Sequence, residues 1–266
     1  MNAVAADAER PPLGSVLTFF ALTFALAVPF WALGTTTSLQ LIPGLPIAAL
    51  MFVCPGLAAL ILAGRDGGSA GVKALVARAV DYRCIKAKKW YTLILFLNPG
   101  IFVLSYVVLR LTRIPVPVPQ IQILPTLTLC ALFFISALGE ELGWSGYAID
   151  PMQNRWGAVP AGLLLGAVWA LIHFVPLLQV HRSLAWIAWW SLWTVSARVI
   201  MVWLYNNTGK SVSAATLYHA ASNVCWQVFP VHGSFFDPRV TALITTLVAA
   251  TVTVAWRERA LSRLVS

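Results

Sequence analysis

The sequence predicts an all-α protein, a polytopic transmembrane helix bundle of about eight spans with both termini in the cytoplasm. Of the 266 residues, 59% are hydrophobic and only 10% are charged, whereas a soluble globular domain carries about 25% charged residues. Runs of about 20 mostly apolar residues, the length that crosses a bilayer as a helix, recur along the chain. The twelve tryptophans also suit such a protein, because Trp is enriched at the membrane–water boundary.

Eight apolar runs are separated by short polar connections, and each run is long enough to span a bilayer as a helix. The predicted spans are residues 15–34, 42–63, 90–110, 122–147, 158–180, 184–205, 212–229 and 240–256. Pro55 and Pro99 lie inside the second and third spans and are predicted to kink them. The connection "RIPVPVPQ", residues 113–120, is too rich in proline for a helix and is predicted to be extended and stiff.

The distribution of Lys and Arg predicts the orientation. With eight spans, one side of the membrane holds both termini and three connections, which carry thirteen Lys and Arg residues, and the other side carries four. The positive-inside rule therefore puts both termini in the cytoplasm. The segment 64–89 becomes a basic cytoplasmic loop, whose middle is predicted to form a short amphipathic helix on the anionic leaflet. Recognition of an acidic substrate by this loop is the less favoured alternative.

The predicted organisation is one membrane-embedded domain, residues 15–256, between cytoplasmic segments at 1–14 and 257–266. The first apolar run is long, and its leader carries one Arg against Asp7 and Glu9, so a retained helix is favoured over a cleaved signal peptide. The net charge of +9 is attributed to topology, since no aromatic–basic motif for nucleic acid is present.

The four cysteines are predicted to be small core residues. None of them forms a CxxC pair, so neither a disulfide framework nor a zinc cluster is favoured. They are Cys54, Cys84, Cys130 and Cys225.

A small set of polar and ionisable side chains lies inside the predicted spans, where such groups usually face a bundle interior or a cavity. The set is Glu140, Glu141, His173, Arg198, His219 and Asn223. Alone, each has an ordinary explanation, such as a hydrogen-bonded core histidine or a helix end that meets water. As a set they favour a site, because the late part of the fourth span and the early part of the seventh both lie in the cytoplasmic half.

Helical spacing assigns these side chains to faces. His219 and Asn223 share a face, because they are four residues apart, and Glu141 shares one with Ser145. Glu140 projects about 100° away from Glu141, so the two carboxylates need not have the same role. The predicted depth of His173, about fifteen residues into the fifth span, is near or beyond mid-membrane and fits less well.

Glutamate, histidine and asparagine together can hydrolyse an acyl bond, most simply a peptide. A carboxylate in an apolar cavity can act as a general base toward water, and His and Asn can donate hydrogen bonds to a developing oxyanion. The same side chains can instead bind zinc and leave a position for water. No G-x-S-x-G elbow and no HExxH helix is present in the sequence.

Three segments in order, "EELGWSGYAIDPMQNRWG", "WALIHF" and "LYNNTGKSVSAATLYHAASN", resemble the motif regions of the CAAX prenyl protease and bacteriocin-processing family of intramembrane proteases. This family includes the type II CAAX prenyl endopeptidases and many bacterial Abi proteins. Its motifs are written EExxxR, FxxxH and HxxxN or HxxxB, and the similar region covers about residues 139–223. The resemblance implies an eight-helix bundle that opens toward cytoplasm and lipid.

The resemblance also implies roles for single residues. Glu140 with His173 would activate the hydrolytic water, and His219 with Asn223 would hold the oxyanion of the scissile carbonyl. Zinc-dependent and metal-free glutamate mechanisms are both proposed for the family. Glu140, His173 and His219 are the candidate metal ligands, and the lack of a third strong His or Cys donor favours the metal-free mechanism slightly.

Two positions depart from the family pattern. Trp169 replaces the usual Phe, and Ser145 stands where the family has Arg. Ser145 can offer a hydrogen bond to Glu141 but no charge, so a buried Glu141 needs another cationic partner. Arg198, from the sixth span, is the predicted replacement.

The main functional expectation is an intramembrane endopeptidase that cuts a peptide or a lipidated protein near the cytoplasmic face, in contact with lipid and without nucleic acid. A bacterial plasma membrane is the expected location. One alternative is a catalytically degenerate relative that acts as an immunity or scaffold protein, which the missing Arg at position 145 favours. Another is a small transporter with a Glu and His proton relay, although no pair of broken repeats is visible.

Overall fold

The computed structural model describes residues 13–232 and 237–265, and helices dominate both ranges. The helices of these ranges are α1 Leu13–Thr37, α2 Val53–Ala77, α3 Lys89–Leu111, α4 Ile123–Gly143, α5 Ile149–Trp156, α6 Ala158–Ile172, α7 Phe174–Gln179, α8 Leu184–Asn207, α9 Val212–Val228 and α10 Pro238–Val265. Two short strands, β1 Gln40–Ile42 and β2 Leu45–Pro46, pair as an antiparallel hairpin. Tighter 3₁₀ turns cover Ile47–Phe52 and Arg78–Cys84, and a π-helical turn covers Trp144–Ala148.

The predicted all-α membrane fold is confirmed. Within the described ranges, seven helical segments are long and apolar enough to cross a bilayer, and they correspond to seven of the eight predicted spans. The remaining prediction, 212–229, is helix α9, which has 17 residues, 12 of them buried. A helix with so much of its surface buried belongs in the middle of a bundle. The chain is an integral membrane protein.

The predicted second span differs from the structure at its beginning. Residues 40–52 form the β1–β2 hairpin and a 3₁₀ turn, and α2 begins only at Val53. Pro55 therefore lies in the first helical turn, where a missing N–H costs little, and the bend in α2 is instead at Gly68, with φ 57° and ψ −149°. α3 is a single helix through Pro99, and residues 114–119 lack helix, as predicted for the proline-rich connection.

The basic segment 64–89 is mostly helical, because α2 runs to Ala77 and a 3₁₀ turn follows. It is anchored to the beginning of α9 through Asp81, whose carboxylate accepts from the backbone N–H of Val212 at 2.8 Å and of Ser213 at 2.9 Å. A carboxylate at this position satisfies N–H groups that have no partner inside the helix. The contact fixes where α9 begins and therefore where His219, two turns later, lies.

Helices α2 and α4 approach each other closely on both sides of Glu140. A Cβ atom on Gly56 would lie 2.5 Å from the carbonyl oxygen of Gly139, and one on Gly143 would lie 2.4 Å from the carbonyl oxygen of Pro55. Both distances are too short for real atoms, so only glycine permits this approach. The glycines thereby bring the Glu140 segment of α4 against α2.

Gly143→Ala is expected to destabilise the protein by about 1–3 kcal/mol, since α2 and α4 must move apart to fit the methyl group. The measurement is the temperature at which the detergent-solubilised protein loses its monodisperse chromatographic peak. Gly100→Ala is the matched control, because Gly100 lies in α3, where an added methyl group would have nothing within 4 Å. Equal melting temperatures for the two variants would contradict the packing argument.

The cysteine prediction needs a correction. All four thiols are free, and Cys54 and Cys225 are buried as predicted, but Cys84 and Cys130 are exposed. Cys130 lies in α4, and the apolar surroundings of its sequence do not distinguish a lipid-facing position from a core position, because both are apolar in a membrane helix. The predicted N-terminal segment 1–14 lies almost entirely outside the described residues. The backbone at 257–265, predicted as a tail, continues α10.

Candidate active site

The two adjacent glutamates lie near the end of α4, before the π-helical turn at Trp144–Ala148. Both are buried: Glu140 is 6% exposed and Glu141 is fully buried. They face different surroundings, as their separation on the helix predicts. Glu140 lines a cavity, and Glu141 lies behind the cavity wall in a charged cluster.

The cavity has a volume of about 420 Å³. Four predicted site residues, one from each motif segment and a second from α9, line it together: Glu140, His173, His219 and Asn223. Most of the remaining wall is apolar, with the aromatic side chains Phe133, Trp190, Trp193 and Trp226 and the hairpin residues Leu41, Ile42 and Leu45. A few polar groups in an apolar cavity are typical of a ligand or substrate site.

The Glu140 carboxylate has two different oxygens. Its Oε2 atom accepts hydrogen bonds from two indole N–H groups, that of Trp169 at 2.8 Å and that of Trp144 at 3.3 Å. Its Oε1 atom lies 4.0 Å from Nε2 of His219, too far for a direct hydrogen bond. One oxygen is therefore held by the protein, and the other faces His219 on α9 across a short gap.

Glu141 is the anchor of the charged cluster. The Arg198 guanidinium binds it in a bidentate manner, with Nη1 2.8 Å from Oε2 and Nη2 2.9 Å from Oε1. The Ser145 hydroxyl donates to Oε2, and Nδ1 of His219 lies 3.0 Å from Oε1. The predicted contact between Arg198 and Glu141 is thus present, and it comes from α8 rather than from the next turn of α4.

His173 lies at the break between α6 and α7, with φ −86° and ψ −6°. Its Nδ1 atom is 2.8 Å from the backbone carbonyl oxygen of Trp169, and since a carbonyl only accepts, Nδ1 carries the proton. When the ring is neutral, Nε2 keeps its lone pair for the cavity, which His173 lines. The bundle thus brings His173 to the same cavity as Glu140, although its position along the fifth span predicts a deeper location.

Asn223 lies one turn after His219 on α9 and lines the same cavity. Within residues 13–232 and 237–265 its amide makes no hydrogen bond, so it can donate to a molecule in the cavity. His219 contributes Nε2 to this wall, since its other ring nitrogen is occupied by Glu141.

Glu140, His173 and His219 are the candidate metal ligands. In the part of the chain that the structure describes, no three His, Cys, Asp or Glu side chains lie close enough together to hold a metal ion. His173 and His219 each use Nδ1 in a hydrogen bond to an oxygen atom, which is also how the protein usually orients a metal-bound histidine. Oε1 of Glu140 and Nε2 of the two histidines are therefore the atoms that would hold a metal ion in this cavity.

The predicted site residues do not include the two tryptophans whose indole N–H groups donate to Glu140. Trp144 lies four residues after Glu140, and Trp169 lies four residues before His173. Each tryptophan is therefore one helical turn from a motif residue. For Trp144, this spacing from Glu140 is the sequence signal that could have identified it as a donor. The exchange at position 169 adds a donor, because the usual Phe lacks the indole N–H.

Comparison with known proteins supports the motif assignment. Residues 122–225 match the family model described as type II CAAX prenyl endopeptidase Rce1-like. A 102-residue stretch is 33% identical to CAAX prenyl protease 2 of Methanococcus maripaludis, covering 35% of this chain and 37% of the relative. The matched stretch thus spans just over a third of the relative's length. The resemblance is confirmed over the segment that contains Glu140, His173 and His219.

Proposed function

We propose that the protein is an intramembrane endopeptidase that hydrolyses a peptide bond near the cytoplasmic membrane face. The observation that carries this proposal is the cavity, in which Glu140, His173, His219 and Asn223 converge from three separate motif segments. The similarity of residues 122–225 to CAAX prenyl endopeptidases supports the same reaction class. The proposed substrate is a peptide or lipidated protein tail, for which an apolar, aromatic cavity is suitable.

In the proposed reaction, the free Oε1 of Glu140 removes a proton from a water molecule, which also donates to Nε2 of His173. The hydroxide oxygen adds to the scissile carbonyl carbon and gives a tetrahedral oxyanion. The C–N bond then breaks, and the proton held by Glu140 moves to the leaving amine. A new carboxylic acid and a new amine result, the acid loses its proton to the amine, and the carboxylate of Glu140 is regenerated.

His219 and Asn223 are the proposed oxyanion donors. Because the Glu141 carboxylate accepts from Nδ1–H of His219, donation from Nε2 requires a doubly protonated ring. The proposed charged cluster then contains two carboxylates, one guanidinium and one imidazolium, which sum to zero charge in a site with little water. A neutral buried cluster avoids the cost of an uncompensated charge.

The alternative of a degenerate scaffold or immunity protein rests on the absence of Arg at position 145. The bidentate contact from Arg198 weakens that argument, because Glu141 receives its guanidinium from another helix. Location in a bacterial plasma membrane, with both termini cytoplasmic, remains part of the proposal.

The Asn223→Ala variant is expected to lower kcat by roughly a hundredfold or more, as loss of an oxyanion donor does, with a smaller change in KM. The assay uses protein reconstituted in liposomes and a peptide that ends in an S-farnesyl cysteine and three further residues. Asn207→Ala is a matched control, because Asn207 donates to the backbone of its own helix, at Trp203, and does not line the cavity. Full turnover by Asn223→Ala would remove Asn223 from the proposed site.

A further inference from the structure

Trp169 contacts three residues that have a role in the proposed reaction, Glu140, His173 and His219. It also contacts Arg198. Its indole N–H donates to Glu140 at 2.8 Å, and its backbone oxygen lies 2.8 Å from Nδ1 of His173. Its ring lies 4.3 Å from the Arg198 guanidinium carbon. The edge-to-face contact with His219 has a centroid distance of 4.9 Å.

We propose that Trp169 is a positioning residue, whose indole N–H holds Oε2 of Glu140 so that Oε1 is presented to the reacting water. This inference rests on the proposed peptidase function. A carboxylate that rotates freely about its last bond would offer either oxygen in many directions. A donor fixed on one oxygen removes that freedom before the substrate binds, which is the usual benefit of a preorganised site.

The Trp169 indole ring is itself buried and in contact with a guanidinium. The Arg198 guanidinium lies against one part of the ring at a cation–π distance, and the side chain is 5% exposed. Arg198 is in turn fixed by its two hydrogen bonds to Glu141. The charged cluster behind the cavity wall thus supports the Trp169 ring, and the ring supports Glu140.

Trp144 supplies the second, longer hydrogen bond to the same oxygen, at 3.3 Å. Both donors act on Oε2, whereas Oε1 faces Nε2 of His219 at 4.0 Å. This asymmetry favours a role in choosing which oxygen reacts over a general role in burying the carboxylate. A phenylalanine at position 169 fills similar space but cannot donate.

The test compares Trp169→Phe with wild-type protein, using the liposome assay and the farnesylated peptide. We expect kcat to fall roughly tenfold or more, since a charge-assisted hydrogen bond is lost, while KM changes less than about twofold. Trp144→Phe is expected to have a smaller effect in the same direction. Trp203→Phe is the control, because Trp203 packs against Trp90 and does not line the cavity.

A second readout does not depend on turnover. In ¹⁵N-labelled protein in detergent, the indole N–H signal of Trp169 is the one among twelve that Trp169→Phe removes. We expect this signal at low field in the wild type and shifted upfield in Glu140→Gln, because a neutral amide is a weaker acceptor. An unmoved indole signal would overturn the proposal, as would wild-type kcat in Trp169→Phe when Glu140→Gln is inactive.

The two proposals fail in different ways. If wild-type protein does not cleave any peptide, the peptidase function is wrong, and the indole signal still tests whether Trp169 holds Glu140. If wild-type protein cleaves and Glu140→Gln does not, the peptidase function stands, and the kcat of Trp169→Phe decides the positioning role.

Discussion

Arg198→Ala is expected to destabilise the folded protein by about 3–5 kcal/mol, because it leaves the fully buried Glu141 carboxylate without its guanidinium partner. Arg198 is itself fully buried and makes a bidentate contact. The Ser145 hydroxyl carries no charge, and the proposed His219 imidazolium can balance only one of the two buried carboxylates. The expected observation is a large loss of monodisperse protein after membrane extraction, and a much lower melting temperature for what remains.

Moving the guanidinium from position 198 to position 145 tests more directly whether Glu141 needs a buried cationic partner. In the family motif, an Arg stands at the position of Ser145, one turn from Glu141. Ser145→Arg combined with Arg198→Leu is therefore expected to recover part of the stability that Arg198→Ala loses. Arg110→Ala serves as a control for loss of an exposed arginine. Wild-type stability of Arg198→Ala would show that the buried pair contributes little.

Glu140→Gln and Glu141→Gln are expected to have opposite profiles, although they change neighbouring residues in the same way. Glu140→Gln removes the proposed base and keeps an acceptor for the two indoles. His219 can then lose its second proton, which keeps the buried cluster neutral, so turnover should fall to background in a protein of near wild-type stability. Glu141→Gln leaves Arg198 without a counter-charge, so the main loss should be folded protein. Melting temperature and turnover are measured for both in parallel.

The reverse pattern would contradict these role assignments. A stable but inactive Glu141→Gln protein, together with an active Glu140→Gln protein, would mean that the base is Glu141. Its position behind the cavity wall would then have to change during the reaction.

The helix bundle and the motif residues could be predicted from the sequence, because both depend on strong local signals. Apolar runs of membrane length predict helices directly, and scarce ionisable residues inside them indicate a site. The contact between Arg198 and Glu141 was predictable for the same reason, since a buried carboxylate needs a cation and few cations lie within the spans.

Other features depend on which side of each helix faces the protein. In a membrane helix, the sequence does not show this side, because lipid-facing and protein-facing residues are both apolar. The predicted second span, 42–63, includes most of the hairpin of residues 40–46 and the turn at Ile47–Phe52, because their residues are as apolar as lipid-facing ones. The predicted burial of Cys130 was wrong for the same reason. The Trp169 donor to Glu140 joins two helices and has no counterpart in the local pattern.

The central claim, hydrolysis with Glu140 as base, is tested most directly by peptide cleavage in ¹⁸O-labelled water. The reconstituted protein is given the farnesylated peptide, and both products are identified by mass spectrometry. We expect cleavage at an internal peptide bond, with one ¹⁸O atom in the new carboxylate, and no product from correctly folded Glu140→Gln. Cleavage by Glu140→Gln at the wild-type rate would contradict it.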